Sequence, residues 1–355
     1  MGKRHNAHTT RARSRQGSAV ALACALALSG CTSAAVLPKP SATATPSPSY
    51  ISTYQPPAAT DVAPLRGTTV AAGSLAHASI AAKIDNHWDA RPQIGLESTD
   101  IVFEELVEGG ITRYVAVWQS TIPKVFGPVR SIRPMDPNIV SPLGGIICYS
   151  GGQPRFVNLM RRAPVYNAVH GQPDTASSFY RTPTKTAPHN VLVNGPKLLA
   201  LHKKIAPPKQ QFAYSLDPAS STAAKDGSPT KTIAYTFSPA MSGAWTYDDA
   251  HKVFLRSQGG DKDKDSTGAQ LKATNVVVLR VKVTADGNVP RTEMISHGEA
   301  WVSTGGATVH GTWRKASATD PIRLLDADGV DIRLSAGNTW VELIPTAGAV
   351  RFTAR

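Results

Sequence analysis

The chain has 355 residues, and its 41% hydrophobic and 18% charged side chains are ordinary for a globular protein with room for two domains. Its formal charge of +13 at pH 7 suits an anionic partner, although five basic residues lie close to the N-terminus: Lys3, Arg4, Arg11, Arg13 and Arg15. An aromatic content of 6% and the export signal described next disfavour nucleic-acid binding.

Residues 1–30 have the pattern of a bacterial lipoprotein signal peptide. The basic segment is followed by an apolar run, Ser18 to Leu28, that is too short to span a bilayer as a mature helix. The run closes on Leu28-Ser29-Gly30-Cys31, in which small residues admit a signal peptidase and the Cys31 thiol accepts a lipid. The alternative is an ordinary secretory signal with an incidental cysteine. We expect lipidated Cys31 to hold the protein at the extracytoplasmic face of the cell membrane.

The mature chain is predicted to contain a tether and two domains. Residues 31–66 are rich in Pro, Ala, Ser and Thr, a composition that favours a disordered tether. A polar linker at residues 216–230 separates an N-terminal α/β domain, residues 67–215, from a C-terminal β domain, residues 231–355. No intramolecular disulfide is expected, because Cys148 has no partner once Cys31 carries lipid.

The N-terminal domain is predicted to mix strands and helices. Two alternating runs, Ile101 to Val107 and Ile111 to Trp118, flank Gly109-Gly110 and predict a hairpin. The alternative for the first run is a helix with one acidic stripe, but its β-branched and aromatic content favours a strand. Further elements are predicted as a strand at residues 77–85, a helix at 136–140, a strand at 143–149 followed by a helix, and a basic helix at 194–204.

The C-terminal domain is predicted to be all-β, because short apolar runs recur at regular spacing between turn signals such as Gly305-Gly306 and Asp328-Gly329. The predicted strands are residues 231–237, 253–256, 275–284, 291–295, 300–303, 308–313, 322–325, 330–334 and 339–344. The predicted fold class is therefore α+β, a mixed α/β domain followed by a mostly antiparallel β domain.

Dispersed motifs resemble the YerB-like lipoprotein family. In the first half these are Ala90-Arg-Pro-Gln-Ile-Gly95, Glu108-Gly-Gly-Ile-Thr-Arg113, Gly127-Pro-Val-Arg-Ser131, Phe179-Tyr-Arg181 and Ala187-Pro-His-Asn190. In the second half they include Trp245-Thr-Tyr-Asp248 and Gly311-Thr-Trp-Arg-Lys315. The resemblance implies a lipid anchor and two domains of unknown function, and it implies no reaction.

The candidate site is a set of arginines and polar groups on separate loops of the N-terminal domain. Guanidinium groups bind phosphate or carboxylate through two parallel hydrogen bonds, and nearby glutamates can orient them or exchange protons. The candidate ligand-binding residues are Arg91, Glu104, Glu108, Arg113, Arg130, Arg133, Arg181, His189 and Asn190. The alternative is a buried structural ion-pair network made of the same residues.

Two functions follow from this set of residues. The first is a lipoprotein that binds an anionic envelope component, such as a phosphate-bearing or uronic-acid wall polymer. The second is a hydrolase of envelope glycan or phosphodiester that uses Glu104 or Glu108 with His189 as acid and base. The sequence predicts no cofactor, and the histidines show no zinc-site spacing, so no metal site is predicted.

Overall fold

The computed structural model describes residues 53–355, and strands make up most of their regular structure. Strands β1 to β9 are Thr60–Val62, Thr69–Ala71, Ile80–Asp85, Ile101–Leu106, Thr112–Trp118, Ile146–Tyr149, Tyr166–Val169, Phe179–Arg181 and Val191–Val193. Strands β10 to β23 are Ser228–Pro229, Thr232–Ser238, Met241–Asp248, Val253–Gln258, Asp261–Lys262, Lys272–Ala273, Asn275–Val281, Val283–Asp286, Val289–Thr292, His297–Thr304, Ala307–Arg314, Arg323–Leu325, Thr339–Pro345 and Ala349–Thr353.

The helices are short. Helices α1 to α4 are Asp136–Val140, Pro154–Arg161, Gly195–Leu201 and Thr222–Asp226. Single 3-10 turns lie at Trp88–Ala90, Leu96–Ser98, Glu108–Gly110, Ala176–Ser178 and Pro218–Ser220. None of the helices within residues 53–355 is long and apolar enough to cross a membrane.

One sheet of eleven strands runs through both halves of the chain. Its order is β10-β20-β19-β16-β22-β4-β5-β3-β6-β7, with β21 paired to β20. Near its middle, β22 pairs in parallel with β16 on one side and with β4 on the other. The hydrogen-bonded ladder therefore continues from the second half of the sequence into the first, and Pro57–Arg355 form one compact unit.

Successive side chains of a strand point to opposite faces of a sheet, and in the central strands of this sheet both sets are buried. Val276 and Val278 of β16 face a second sheet, whose six strands follow the order β14-β13-β12-β11-β23 with β15 on β13. Val277 and Leu279 belong to the core on the other face, which includes Phe156 of α2. The large sheet is thus the middle layer of the molecule.

The structure confirms much of the predicted pattern. Strands β4 and β5 form the expected antiparallel pair around Gly109-Gly110, and α1 occupies the predicted residues 136–140. Every regular element from Thr232 to Thr353 is a strand. The predicted strand at residues 330–334 is absent, since this segment makes only isolated bridges.

The mixed α/β character predicted for the first half is not confirmed. Its helices have five to eight residues, and strands supply most of its regular structure. The predicted signal peptide, Cys31 and most of the predicted tether lie outside the described residues. The end of the predicted tether is ordered, because β1 pairs with β2 and the side chains of Ala63 and Leu65 are fully buried. Burial of Ala63 and Leu65 offsets part of the conformational entropy that this segment loses when it becomes ordered.

Candidate functional site

The structure divides the predicted site residues among three places. We call the first the Asp85 cluster; it contains Asp85, Glu108, Arg113, Arg130, Arg133 and His189. We call the second the Arg256 network; it contains Glu104, Arg256, Gln258, Asp263 and Glu342. Arg181 and Asn190 form a separate pair, in which Arg181 donates to the Asn190 side chain at 2.6 Å.

Asp85 is the centre of the first cluster and was missed by sequence reasoning. It ends β3 directly opposite Arg113 on β5, and only 1% of its surface is exposed. Its Oδ2 lies 3.0 Å from Arg130 Nε and 2.6 Å from His189 Nδ1. One buried carboxylate therefore holds two loops that are far apart in sequence.

The loop from Gly127 to Pro134 is fixed by the edge of β3. Strand β6 pairs with β3 only as far as Ala82, and beyond that point the loop takes over the free edge. The Asp85 amide donates to Pro128 O at 2.9 Å, and the Arg130 amide donates to Lys83 O at 2.8 Å. These backbone bonds satisfy groups that would otherwise be buried without partners, and they aim Arg130 at Asp85.

Arg133 and Glu108 form the partly exposed side of the cluster. Arg133 Nε donates to Glu108 Oε2 at 2.6 Å. Partial burial opposes the charge of Glu108, but the hydrogen bond from Arg133, a backbone hydrogen bond and the charges of Arg133 and Arg113 together outweigh it and lower the pKa of this carboxyl. Glu108 follows β4 in a 3-10 turn, so the hairpin supplies the carboxylate and the neighbouring loop supplies the arginine.

Arg113 has no carboxylate within ion-pair distance in the described part of the chain. It is 5% exposed, its Nη1 donates to Ser131 O at 2.7 Å, and its Nε has no hydrogen-bond partner. Burial, followed by repulsion from Arg133, lowers the pKa of Arg113 to about 10. The cluster as defined contains three guanidinium groups and the two carboxylates of Asp85 and Glu108, and it adjoins a buried group in which Lys83 pairs with the carboxylates of Glu105 and Asp136.

Glu104 lies in the Arg256 network and is fully buried. Its Oε2 accepts from Arg256 Nη2 at 2.5 Å, and Arg256 also pairs with Asp263. Arg91 reaches this region indirectly, because it donates to Asn86, whose amide group donates to Glu104. Glu104 is thus a structural ion-pair partner without contact to water. Local pattern did not indicate this role for Arg256, because one of its two partner carboxylates, that of Glu104, lies in the other half of the chain.

One group of side chains near the Asp85 cluster is able to hold a metal ion. Ligand atoms of His87, Asp89 and His189 lie within 4.8 Å of one another. The sequence predicted no metal site because these histidines are not spaced along one element. Two separate loops bring them together.

Comparisons with known proteins assign both halves of the chain to the same family. The family model described as "Protein of unknown function (DUF3048) N-terminal domain" matches residues 65–207, and the model of the C-terminal domain of the same family matches residues 233–341. The chain is also similar to the Bacillus subtilis (strain 168) protein named "Putative lipoprotein YerB", with 26% identity over 294 residues that cover 81% of this chain and 87% of that protein.

A solved structure supports the same assignment at the level of fold. The crystal structure of the YerB protein from Bacillus subtilis aligns with a TM-score of 0.69 and 21% identity, and it covers 82% of this chain and 99% of that one. The match therefore spans both halves of the shared sheet. From two domain models in the expected order and a relative similar over most of its length, we conclude that the chain belongs to the DUF3048 family and is a homologue of the YerB lipoprotein.

Proposed function

We propose that this protein is a lipoprotein, anchored through Cys31 at the extracytoplasmic face of the membrane, that binds an anionic component of the cell envelope through the Asp85 cluster. The anchor is supported by the Leu28-Ser29-Gly30-Cys31 motif and by the name of the Bacillus subtilis relative. The ligand class is a polymer that bears phosphate or uronic-acid groups. Membrane attachment would place the binding face beside such polymers.

The observation that carries this proposal is that Arg113 is buried and, within residues 53–355, forms no ion pair with a carboxylate, although the charges of Asp85 and Glu108 act on it from farther away. A buried guanidinium without a carboxylate partner is costly, and an anion bound next to it offsets that cost. Arg130 and Arg133 lie beside it with side chains that are 20% and 11% exposed, so both remain reachable from solvent. A bound phosphate or carboxylate could accept charge-assisted hydrogen bonds from two of these guanidinium groups, and such hydrogen bonds are among the strongest in proteins.

The predicted roles differ among the remaining residues. His189 belongs to the Asp85 cluster, and Arg181 and Asn190 form their own pair on β8 and the loop before β9. We propose that these three residues make secondary polar contacts. Glu104 makes no contact with an external ligand in this proposal, because its carboxylate is sealed against Arg256. With Glu104 buried, the hydrolase alternative depends on Glu108 and His189, and Glu108 is held in an ion pair by Arg133.

The proposal is tested by equilibrium binding of the full-length protein to polyphosphate and to polygalacturonate, with neutral dextran as the reference polymer. We expect a variant carrying both Arg130→Ala and Arg133→Ala to bind the anionic polymers at least about tenfold more weakly, which corresponds to about 1.4 kcal/mol. The matched control is Arg155→Ala with Arg323→Ala, which removes two exposed arginines that are also ion-paired.

Equal retention of the anionic polymers by wild type and by the Arg130/Arg133 variant would refute the proposal. Arg130→Lys tests hydrogen-bond geometry separately from charge. Lysine keeps the positive charge but lacks the planar guanidinium group that makes two parallel hydrogen bonds. Thermal unfolding of each variant shows whether the fold is intact.

A further inference from the structure

The group formed by His87, Asp89 and His189 has the features of a built cation site. His87 and Asp89 flank Trp88 at the start of the 3-10 turn after β3, and His189 comes from the loop that leads into β9. All three offer ligand atoms within 4.8 Å of one another. Neither the family description nor the resemblance assigns any role to this group.

The distance between the first two ligand atoms matches tetrahedral coordination. His87 Nδ1 lies 3.5 Å from Asp89 Oδ2. Two ligands at zinc distances of about 2.0–2.2 Å in a tetrahedron are separated by roughly 3.4 Å. The Asp89 amide donates to His87 Nδ1 at 3.3 Å, so this nitrogen carries a lone pair, and that lone pair must leave the amide before it binds an ion.

The third ligand is oriented by the buried carboxylate of Asp85. His189 Nδ1 lies 2.6 Å from Asp85 Oδ2, which assigns the proton to Nδ1 and leaves the lone pair on Nε2. Metal-binding histidines commonly donate their second nitrogen to a carboxylate in this way. Asp85 Oδ1 also accepts from the backbone amide of His87 at 3.2 Å, so the same carboxylate positions both histidine loops.

We propose that His87, Asp89 and His189 bind one divalent transition-metal cation, with Zn²⁺ as the best fit to two imidazoles and one carboxylate, and with a fourth position open to solvent. The two imidazole rings stack with centroids 4.4 Å apart and an angle of 16° between planes. Because lone pairs lie in the ring plane, the His87 ring turns toward the ion on binding. Its 20% exposure and the 52% exposure of Asp89 leave room for that rotation.

This site adjoins the proposed anion site and shares His189 with it, but the two proposals are tested separately. None of Arg113, Arg130 and Arg133 is a ligand of the cation, and the test uses the metal alone. Failure of metal binding would leave the arginine proposal standing, and failure of polymer binding would leave the metal site standing.

The experiment is calorimetric titration of full-length, chelator-treated protein with ZnCl₂, checked by competition with a chromogenic chelator. We expect one tightly bound ion per chain, and at least tenfold weaker binding in His87→Ala, His189→Ala and Asp89→Asn. The matched control is His310→Ala, because His310 is also an exposed histidine 3.5 Å from a carboxylate, that of Glu299. Asp89→Asn keeps the test decisive if a histidine variant fails to fold, since its side chain is half-exposed.

A second readout comes from Trp88, whose ring centroid lies 3.8 Å from that of His87. Addition of Co²⁺ should quench part of the tryptophan fluorescence, and Trp88→Phe should remove that part without weakening Zn²⁺ binding. Absence of stoichiometric binding by the wild type, or wild-type affinity in both Asp89→Asn and His189→Ala, would overturn the proposal.

Discussion

Glu342 and Glu104 are two buried carboxyl groups that interact within the Arg256 network. Glu342 accepts hydrogen bonds from Trp245 Nε1 at 2.8 Å and from Tyr235 Oη at 3.0 Å. Burial and the neighbouring Glu104 raise the pKa of Glu342 well above its usual value, and Glu104 forms an ion pair with Arg256. We infer that Glu342 carries a proton in the folded state.

Glu342→Gln should therefore stabilise the protein at alkaline pH. Above the unfolded-state pKa of 4.5, the folded state retains a proton that the unfolded state has lost, so wild-type stability falls as pH rises toward the higher folded-state value. Glutamine imitates the protonated form and removes this decline. We expect a gain in the free energy of unfolding on the order of 1 kcal/mol or more at pH 8, and almost none at pH 4.

Urea unfolding of both proteins at the two pH values measures this difference. The matched variant is Glu104→Gln, which should destabilise at both pH values because Arg256 loses the charge of its partner. A loss of stability in Glu342→Gln at pH 8 would contradict the assignment of the proton.

Among single residues, the arginines of the Asp85 cluster were easier to predict from the sequence than the side chains that pair with them. Loop arginines such as Arg130 and Arg133 stand out because glycine and proline surround them, and the structure places both beside the end of β3. Asp85 was recognisable only as the end of a strand. Its role depends on Arg113 lying opposite on β5 and on His189 arriving from a distant loop, and neither follows from local pattern.

The loop from Gly127 to Arg133 is the element on which the Asp85 cluster depends. Gly127 has φ +142°, and a Cβ there would lie 2.9 Å from both Val191 O and Leu192 Cδ2. Neither contact is relieved without movement of the loop or of β9. Glycine is thus required here for two reasons: the backbone has a positive φ, and the neighbouring atoms leave no space for a Cβ.

Gly127→Ala should lower the free energy of unfolding by about 1–3 kcal/mol and displace Arg130 from Asp85. The suitable control is Gly73→Ala, since Gly73 also has positive φ, at +73°, but has nothing within 4 Å of its Cβ position. Denaturant midpoints of the two variants separate the packing contribution from backbone strain. Equal losses in both would show that contact with β9 contributes nothing.

Elements with local partners were predicted well from the sequence. The β4–β5 hairpin follows from alternation around two glycines, and its partner strand is next along the chain. The parallel pairing of β4 with β22 had no such signal, because β22 lies near the far end of the chain. The first half was predicted to mix strands and helices, but side chains of β11, β12 and β23 in the second half share a core cluster with its sheet.

At the scale of the whole molecule, Arg256 links the two sheets. It extends from β13 in the six-stranded sheet to Glu104 on β4 in the large sheet, and it lies 5.0 Å from the ring centroid of Trp340 on β22. Removal of this side chain would leave the carboxylates of Glu104 and Asp263 buried without their cation. The interaction crosses from one half of the sequence to the other, so it stabilises the packing of the layers.

Arg256→Met should lower the free energy of unfolding by about 3–5 kcal/mol, because two buried charges lose their partner. Arg323→Met is the matched control, since Arg323 forms an exposed ion pair with Asp331 at 2.8 Å and should contribute about 0–1 kcal/mol. Chemical denaturation measured by two probes tests both values. An Arg256→Met protein as stable as the control would mean that the network is dispensable.

The position of β22 also sets an order of events during biosynthesis. Strand β22 is synthesised long after β4, yet β22 is the strand that lies between β4 and β16. Until Thr339–Pro345 have been made, the nascent chain exposes two strand edges with unpaired amides and carbonyls, and such edges promote aggregation. A chain halted before Thr339 should therefore depend on chaperones, whereas the completed chain closes its own sheet.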